Sequence, residues 1–257
     1  MRSGSKDSEL ATPPFSDVVR DIDMMIASLG LQSIRRYMDQ HHWHDESQLA
    51  RAADEIEPGL KLENVAAHSW HVADATMLVA SNFSDLDSRH AVELAILHDK
   101  LELFTGDLDP VGPDGQGNLS HAFDNAARAR KQELELAALE LYIARLPASA
   151  GERQRALILE SIYGLSEEAR FVKGIDKLQA LTFVLAKKAG AMTDEHLIFT
   201  LRYSAKAKEY FPRLTRHHAE LVSRLLTLIA VFRRVSVESL LSRLPTAALS
   251  VIGIVKP

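Results

Sequence analysis

The chain has 257 residues, 46% of them hydrophobic, which is enough for one large core or for one domain with an appendage. A formal net charge of −5 argues against a nucleic-acid-binding surface, and the absence of cysteine excludes thiolate zinc sites, catalytic cysteines and disulfides. No apolar run approaches the roughly 18 residues of a membrane span, and the N-terminus lacks a signal peptide's apolar core; a cytoplasmic protein is expected.

The N-terminal part predicts a tail followed by helices. Residues 1–14 are polar and are expected to be disordered. A helix follows, with Ser16 as its N-cap and an apolar stripe from residue 18 to residue 29. Residues 31–38 are predicted to form a short second helix.

Three histidines, His41, His42 and His44, cluster after these helices. They form either a polar loop or a metal site. The loop is the favoured interpretation, because the sequence implies no ordered carboxylate partner beyond Asp45 and Glu46.

Residues 63–80 predict a helix that carries a histidine on its apolar side. Val65, Val72 and Ala75 lie on one helical stripe, and His68 falls within it. His71 lies three residues later and is either a second ligand or a histidine that sits in the core or supports the ligands; the latter is favoured.

Residues 91–110 are predicted to form one helix that ends in a polar elbow at Gly106. Its leucines give it an apolar body, which His98, Asp99 and Glu102 interrupt. An imidazole and two carboxylates are costly to bury unless something binds them. A divalent metal would do so, with further ligands from other helices.

The rest of the chain predicts helices separated by one long loop. Residues 109–120 are rich in Gly, Pro and Asp and form either a lid that contacts substrate or a plain connector. Asp176 lies beside the apolar stripe of a helix over residues 167–187. Further helices are predicted over residues 124–146, 151–163, 193–211, 215–233 and 236–244. The apolar residues 247–255 are expected to pack on the body or on a second subunit.

The sequence therefore supplies four candidate ligands for one metal: His68, His98, Asp99 and Asp176. Two imidazoles and two carboxylates suit a divalent ion such as Mn²⁺, Co²⁺, Ni²⁺, Zn²⁺ or Fe²⁺. Four protein ligands also leave room in an octahedral site for water and for a substrate atom. Such an ion helps to ionise a bound water molecule.

Three blocks of the sequence carry a family resemblance: ENVAAHSW, HDKLELFTGDLDP and EARFVKGIDKLQA. In this order they resemble the HD-domain metal-dependent phosphohydrolases, most closely the HD-domain 5′-deoxynucleotidases, which remove phosphate from deoxynucleoside monophosphates. The resemblance covers about residues 63–211. It implies an all-α fold: a single HD-domain helical bundle over residues 15–257, with extra N- and C-terminal helices. It also implies a small phosphorylated substrate and a homodimer.

The resemblance assigns roles to residues beside the metal. Glu102, one helical turn beyond the ligands, is the candidate general base. Asp107 matches a family residue near the sugar hydroxyl and leaving group, and Lys173 matches a candidate phosphate ligand. Lys100 replaces a position that is usually small or apolar. Each lysine has the alternative of extending to solvent.

The chain departs from the deoxynucleotidases where those enzymes carry an Arg-Trp pair, about fifteen residues before the first metal histidine. Arg51 lies near that place and is the candidate substrate-binding arginine, but Ala52 follows it and Trp43 lies too far upstream. The glutamate usual before the first histidine is Ala67 here. A weakened preference for deoxynucleotides, or a shifted substrate, is therefore predicted.

Three other functions remain open. HD-domain di-iron oxygenases need two further histidines between Asp99 and Asp176, and His121 alone lies there. A cyclic-nucleotide phosphodiesterase usually carries more metal-site histidines. A metal-containing binding module without catalysis would have no need of Glu102.

Overall fold

The computed structural model describes residues 15–37, 40–43 and 62–253. These residues form helices and no strand, and a single isolated bridge joins Arg35 to Asn64. The all-α prediction is confirmed. The predicted tail over residues 1–14 and the position of Arg51 lie outside the described residues.

The helices follow one another along the chain with short connections. They are α1 (Phe15–Ser28), α2 (Val65–Ala80), α3 (Ser88–Leu97), α4 (Glu102–Thr105), α5 (Asn125–Ile143), α6 (Ala148–Tyr163), α7 (Glu167–Lys188), α8 (Asp194–Tyr210), α9 (Thr215–Arg233), α10 (Val237–Arg243) and α11 (Thr246–Val251). Short 3-10 helices cover Leu29–Ser33, His41–Trp43 and Pro212–Leu214. No helix in the described ranges is long and apolar enough to cross a membrane.

Capping side chains explain why several helices begin where they do. A side-chain oxygen just before the helix accepts a hydrogen bond from a first-turn N–H in α2, α3, α5, α7, α8 and α10. At the other end of α6, Gly164 adopts a left-handed conformation with φ of 63°. These signals are local, so the predicted boundaries lie close to the observed ones.

The predicted single helix over residues 91–110 is wrong in one respect, because it is broken into α3 and α4. His98 Nδ1 lies 2.7 Å from the carbonyl oxygen of Ala95 and competes for an acceptor that a continuing α-helix would use. Beyond it, Glu102 N bonds Asp99 O and Phe104 N bonds Leu101 O, which is the tighter i−3 pattern. The break places His98 and Asp99 in the turn that faces the cavity.

The second short helix, predicted over residues 31–38, is not observed in its described part, residues 31–37. The chain forms the 3-10 helix Leu29–Ser33 and then extends, so that Arg36 N bonds Glu63 O. This pairing places Arg36 and Glu63 together beneath the start of α2.

Helix α7 is the centre of the bundle. Phe171, Ile175 and Leu181 on this helix are each at most 1% exposed, and α2, α3, α8 and α9 all pack against it. Gly174 permits the close approach of α8, since a Cβ there would lie 3.0 Å from the carbonyl oxygen of Ala207. The packing of α2 and α3 against α7 brings the candidate ligands together.

The apolar C-terminal stretch packs partly on the body. Ala248 and Leu249 in α11 are each 1% exposed, and Lys208 on α8 donates a hydrogen bond to the carbonyl of Val251. Residues 254–257 lie outside the described residues. Of the two alternatives for this stretch, packing on the body therefore holds for α11.

Candidate metal centre and its cavity

The structure brings the four candidate ligands to one point. His68 Nε2 lies 3.3 Å from His98 Nε2, 3.1 Å from Asp176 Oδ1 and 3.3 Å from Asp99 Oδ2. His98 Nε2 also lies 3.1 Å from Asp99 Oδ2. Helix α2, the turn after α3, and α7 each contribute, so residues more than 100 positions apart meet at this point.

Hydrogen bonds on the far side of each ring fix both imidazoles. Gln179 Nε2 donates to Glu63 at 2.7 Å, which leaves Gln179 Oε1 as the acceptor, 2.8 Å from His68 Nδ1. His98 Nδ1 donates to the Ala95 carbonyl in the same way. Nε2 of each ring therefore faces the common point and is the nitrogen offered to a metal ion, as in metal-ligating histidines.

The charges at this point also fit a divalent ion. Burial disfavours a charged His68, yet hydrogen bonding to Asp176 and Asp99 outweighs burial and raises its pKa well above the ordinary value. Lys177 Nζ donates a hydrogen bond to Asp176 Oδ2 at 2.6 Å, so Asp176 Oδ1 is the oxygen left to bind a metal ion. The four donor atoms are thus arranged to share a cation, and His68, His98 and Asp176 satisfy the geometry of a metal-binding group.

Glu102 and Asp107 lie beside the metal ligands and line the same cavity. Glu102 Oε2 is buried and has no hydrogen-bond partner among the described residues. Burial and the charges of Asp99 and Asp107 raise the pKa of Glu102 well above its ordinary value. A carboxylate with this environment is a strong base that has a free oxygen for water or substrate.

The cavity has a volume of about 240 Å³, and five cationic side chains and five carboxylates line it. Its positively charged side chains are Arg36, Arg128, Lys131, Lys173 and Lys177. Lys173 Nζ donates to the carbonyl of Ile162 at 2.8 Å, and burial lowers the pKa of Lys173 to about 8. Positively charged side chains beside a candidate metal centre suit a phosphorylated ligand.

Several predicted positions take up other environments. Lys100 Nζ donates to Ser28 Oγ at 2.6 Å, which ties it to α1. His71 is not a core residue, because its side chain is 50% exposed, but its Nδ1 lies 3.3 Å from Glu63, which also lies beside His68. The loop 109–120 contributes Pro110 to the cavity, and His121 lies just after it in the same wall.

The cavity contains residues that sequence reasoning did not single out, chiefly Arg36 and Lys131. Arg36 is 7% exposed, and its guanidinium lies 3.5 Å from Glu63 and 3.9 Å from Asp107. Arg36 precedes His68, the first candidate metal histidine, by 32 residues. The family pattern has its arginine about fifteen residues before that histidine, so the pattern did not point to Arg36. Lys131 gave no signal, because it reads as one charge among many on an amphipathic helix.

The two departures from the family pattern near the first histidine have visible consequences. The carboxylate near His68 comes from Glu63, whose Oε2 lies 3.5 Å from His68 Nδ1, and not from position 67. Trp43 is 1% exposed and packs against Tyr37 and Phe183 in the core. The aromatic residues that line the main cavity are instead Tyr203 and Tyr210.

Comparison with known proteins identifies the family of this fold and site. The HD domain family model matches residues 48–215, and the chain belongs to that family. The chain is 30% identical over 139 residues to the 5′-deoxynucleotidase HDDC2 of Xenopus laevis. That match covers 52% of this chain and 62% of the Xenopus protein, which is less than two thirds of the relative.

Two solved structures resemble the fold. A predicted metal-dependent phosphohydrolase from Magnetospirillum magnetotacticum matches with a TM-score of 0.50 and 21% identity, over 82% of this chain and 97% of the other. A conserved hypothetical protein from Pyrococcus furiosus matches with a TM-score of 0.49 and 20% identity, over 77% and 99%. The first of these supports the all-α HD-domain fold.

Proposed function

We propose that this chain is a metal-dependent phosphomonoesterase that removes phosphate from nucleoside 5′-monophosphates, deoxynucleotides among them. The observation that carries the proposal is the convergence of His68, His98, Asp99 and Asp176 beside a cavity whose lining includes lysines and arginines. The nucleotide class rests on the resemblance to 5′-deoxynucleotidases and on the partial match to the Xenopus protein.

The four ligands would hold one divalent ion. When bound, the ion would polarise a phosphoryl oxygen and lower the pKa of a water molecule. Glu102 would accept the proton of the attacking water, and its buried oxygen without a partner among the described residues supports this role. Because Glu102 is buried, bulk water does not screen its charge, and its interaction with the attacking water is stronger.

Other cavity residues bind and orient the substrate in this proposal. Lys173 and Lys131 supply positive charge to the phosphate, and Arg36, fixed by Glu63, adds a planar donor. Asp107 lies near Arg36 and is assigned to the sugar hydroxyl or leaving group. Its raised pKa follows from burial and the charge of Asp99, so it can hold a proton for the leaving oxygen.

A binding module without catalysis is the second candidate. It would use the same metal ligands and cations, but it gives no reason to bury an unpartnered carboxylate at Glu102. An HD-domain enzyme acting on another phosphomonoester or on a phosphodiester is the third, and it differs from the proposal in substrate alone.

A substrate panel tests the proposal. Purified protein is assayed with matched deoxy- and ribonucleoside 5′-monophosphates, sugar phosphates and cyclic nucleotides, each with Mn²⁺, Co²⁺, Ni²⁺, Zn²⁺ or Mg²⁺. Metal-dependent release of phosphate from the monophosphates is expected. The deoxy over ribo ratio of kcat/KM should stay below ~10³, since Trp43 is in the core and a pocket that merely faces an extra hydroxyl discriminates weakly. Hydrolysis of only other esters, or of none, contradicts the proposal.

A further inference from the structure

A second cluster of ligand-type side chains lies outside the candidate metal centre. We propose that His41, His42 and Glu195 form a second divalent-metal site. One ligand atom from each of the three lies within 4.8 Å of the others, and His41 Nε2 lies 3.6 Å from Glu195 Oε2. The carboxylate of this group comes from the first turn of α8, far along the chain from the two histidines.

The histidines are held in place by the residues around them. Trp43, the next residue, is 1% exposed and anchors the 3-10 helix His41–Trp43 in the core. Lys188 at the end of α7 donates a hydrogen bond to the carbonyl of His42. On the other side Thr193 caps α8, which fixes Glu195 in its first turn. The ligands therefore sit on rigid elements.

A hydrogen bond to the backbone fixes the tautomer of His42. Its Nε2 lies 3.0 Å from the carbonyl oxygen of Gly115, which can only accept, so Nε2 carries the hydrogen and Nδ1 carries the lone pair. A carbonyl behind a histidine is a common arrangement at metal sites. The ring also stacks on His196 at 4.5 Å between centroids, and His196 Nδ1 is buried with no partner among the described residues.

Gly115 keeps the space between the other two ligands open. Its φ is +68°, and a Cβ added there would lie 2.6 Å from His41 Cε1 and 2.7 Å from Glu195 Oε1. Any larger residue would fill the gap that His41 and Glu195 share. The glycine thus satisfies both a left-handed turn and the clearance that an ion requires.

The donor set selects the class of ion. Two imidazoles and one carboxylate favour Zn²⁺, Ni²⁺, Co²⁺ or Cu²⁺ over Mg²⁺ or Ca²⁺, with water completing the coordination. The positive charge of Lys188 and the helix dipole at the N-terminus of α8 disfavour a cation here, whereas the negative charges of Glu195 and Asp194 favour one. Asp194 is paired with Arg233, so Glu195 supplies most of the compensating charge.

An ion at this position would join three segments that lie next to the substrate cavity or to the small cavity beside it. His41 and His42 lie next to Gln40, which donates to Asp109 at 2.7 Å. Gly115 belongs to the loop that contributes Pro110 to the cavity, and Glu195 precedes His196, which lines a small neighbouring cavity with Arg36 and Tyr203. The site would therefore act as a clip that stabilises these segments, and it has no nucleophile of its own.

Metal counting tests the proposal with Zn²⁺ or Ni²⁺ as the probe. Native mass spectrometry and calorimetric titration would be run on the full chain and on H41Q and E195Q. These side chains are 57% and 51% exposed, so both variants should fold. The matched control is E209Q, an exposed glutamate on the same helix. G115A is a second probe, because its methyl group would enter the space between His41 and Glu195.

H41Q and E195Q should each bind one metal ion fewer than the wild type. The rise in Tm that the metal causes should also be smaller in each variant than in the wild type. E209Q should match the wild type in both measurements. An unchanged ion count in both H41Q and E195Q would overturn the proposal. A variant such as H68Q removes the candidate catalytic ion instead, so failure of one site is distinguished from failure of the other.

Discussion

His68 Nδ1 lies 2.8 Å from Oε1 of Gln179, and this buried contact decides which nitrogen of His68 is offered to a metal. Gln179 is 7% exposed and is itself oriented by Glu63. The sequence pattern identified His68 but not the glutamine that orients it, because Gln179 reads as an ordinary residue three positions after Asp176.

Replacing this glutamine should weaken metal binding without removing a ligand. Gln179→Met leaves His68 without its acceptor, and loss of such outer partners typically lowers metal affinity by about 10- to 100-fold. Competition with a chelator measures the change in Kd. Q154M, on α6, is the control for loss of an amide elsewhere. Equal affinity in Q179M and wild type would show that the orientation of His68 does not depend on Gln179.

Glu102→Gln should retain the metal and lose turnover. The amide keeps the size of the side chain but cannot accept the proton of water, and general-base loss typically costs about 10²–10⁴ in rate. Single-turnover kinetics and metal content are measured together. Glu133→Gln is the matched control, since Glu133 is an exposed glutamate on α5 that does not line the cavity. Near-normal kcat in E102Q would remove Glu102 from the chemistry.

The phosphate affinity should depend on the charge of Lys173. Burial lowers the pKa of this lysine to about 8, so the ammonium is present below pH 8 and is lost as the pH rises through that value. KM for a nucleoside monophosphate should therefore rise above pH 8 in the wild type. Lys173→Arg stays charged and should flatten this rise, whereas Lys173→Met should show a high KM at every pH. The same KM profile in all three proteins would contradict the assignment.

Much of the fold was predictable, because capping residues and apolar stripes are local signals. The convergence of His68, His98, Asp99 and Asp176 was predictable too, since each interrupts or borders the apolar stripe of its helix; their role as metal ligands stays a prediction. The break after His98 was not, because it depends on the imidazole bonding the backbone of Ala95. The roles of Arg36, Lys131 and Glu195 depend on how distant helices pack, which no single segment encodes.

Oligomeric state remains a prediction, and the structure shifts the expected interface. Ala248 and Leu249 of the C-terminal stretch are buried in the body. Helix α1 instead exposes apolar side chains, among them Met25 at 68% and Ile26 at 64%. A homodimer through α1 is expected, and Met25→Glu with Ile26→Lys should shift it toward monomer without changing the net charge. Light scattering at micromolar concentration measures the mass.

The control for that experiment is Val231→Glu, at a position that is 70% exposed on α9. It should leave the mass unchanged. A monomeric wild type, or a dimer that survives the changes in α1, contradicts the predicted interface.

The metal centre itself is tested most directly by locating the ion. Crystals grown with Co²⁺ would be measured at the cobalt absorption edge, and an anomalous peak is expected within about 2.0–2.2 Å of His68 Nε2, His98 Nε2, Asp99 Oδ2 and Asp176 Oδ1. The peak should vanish in Asp176→Ala crystals of the same form. A wild-type crystal without a peak at this point, or a peak that persists in Asp176→Ala, would contradict the account.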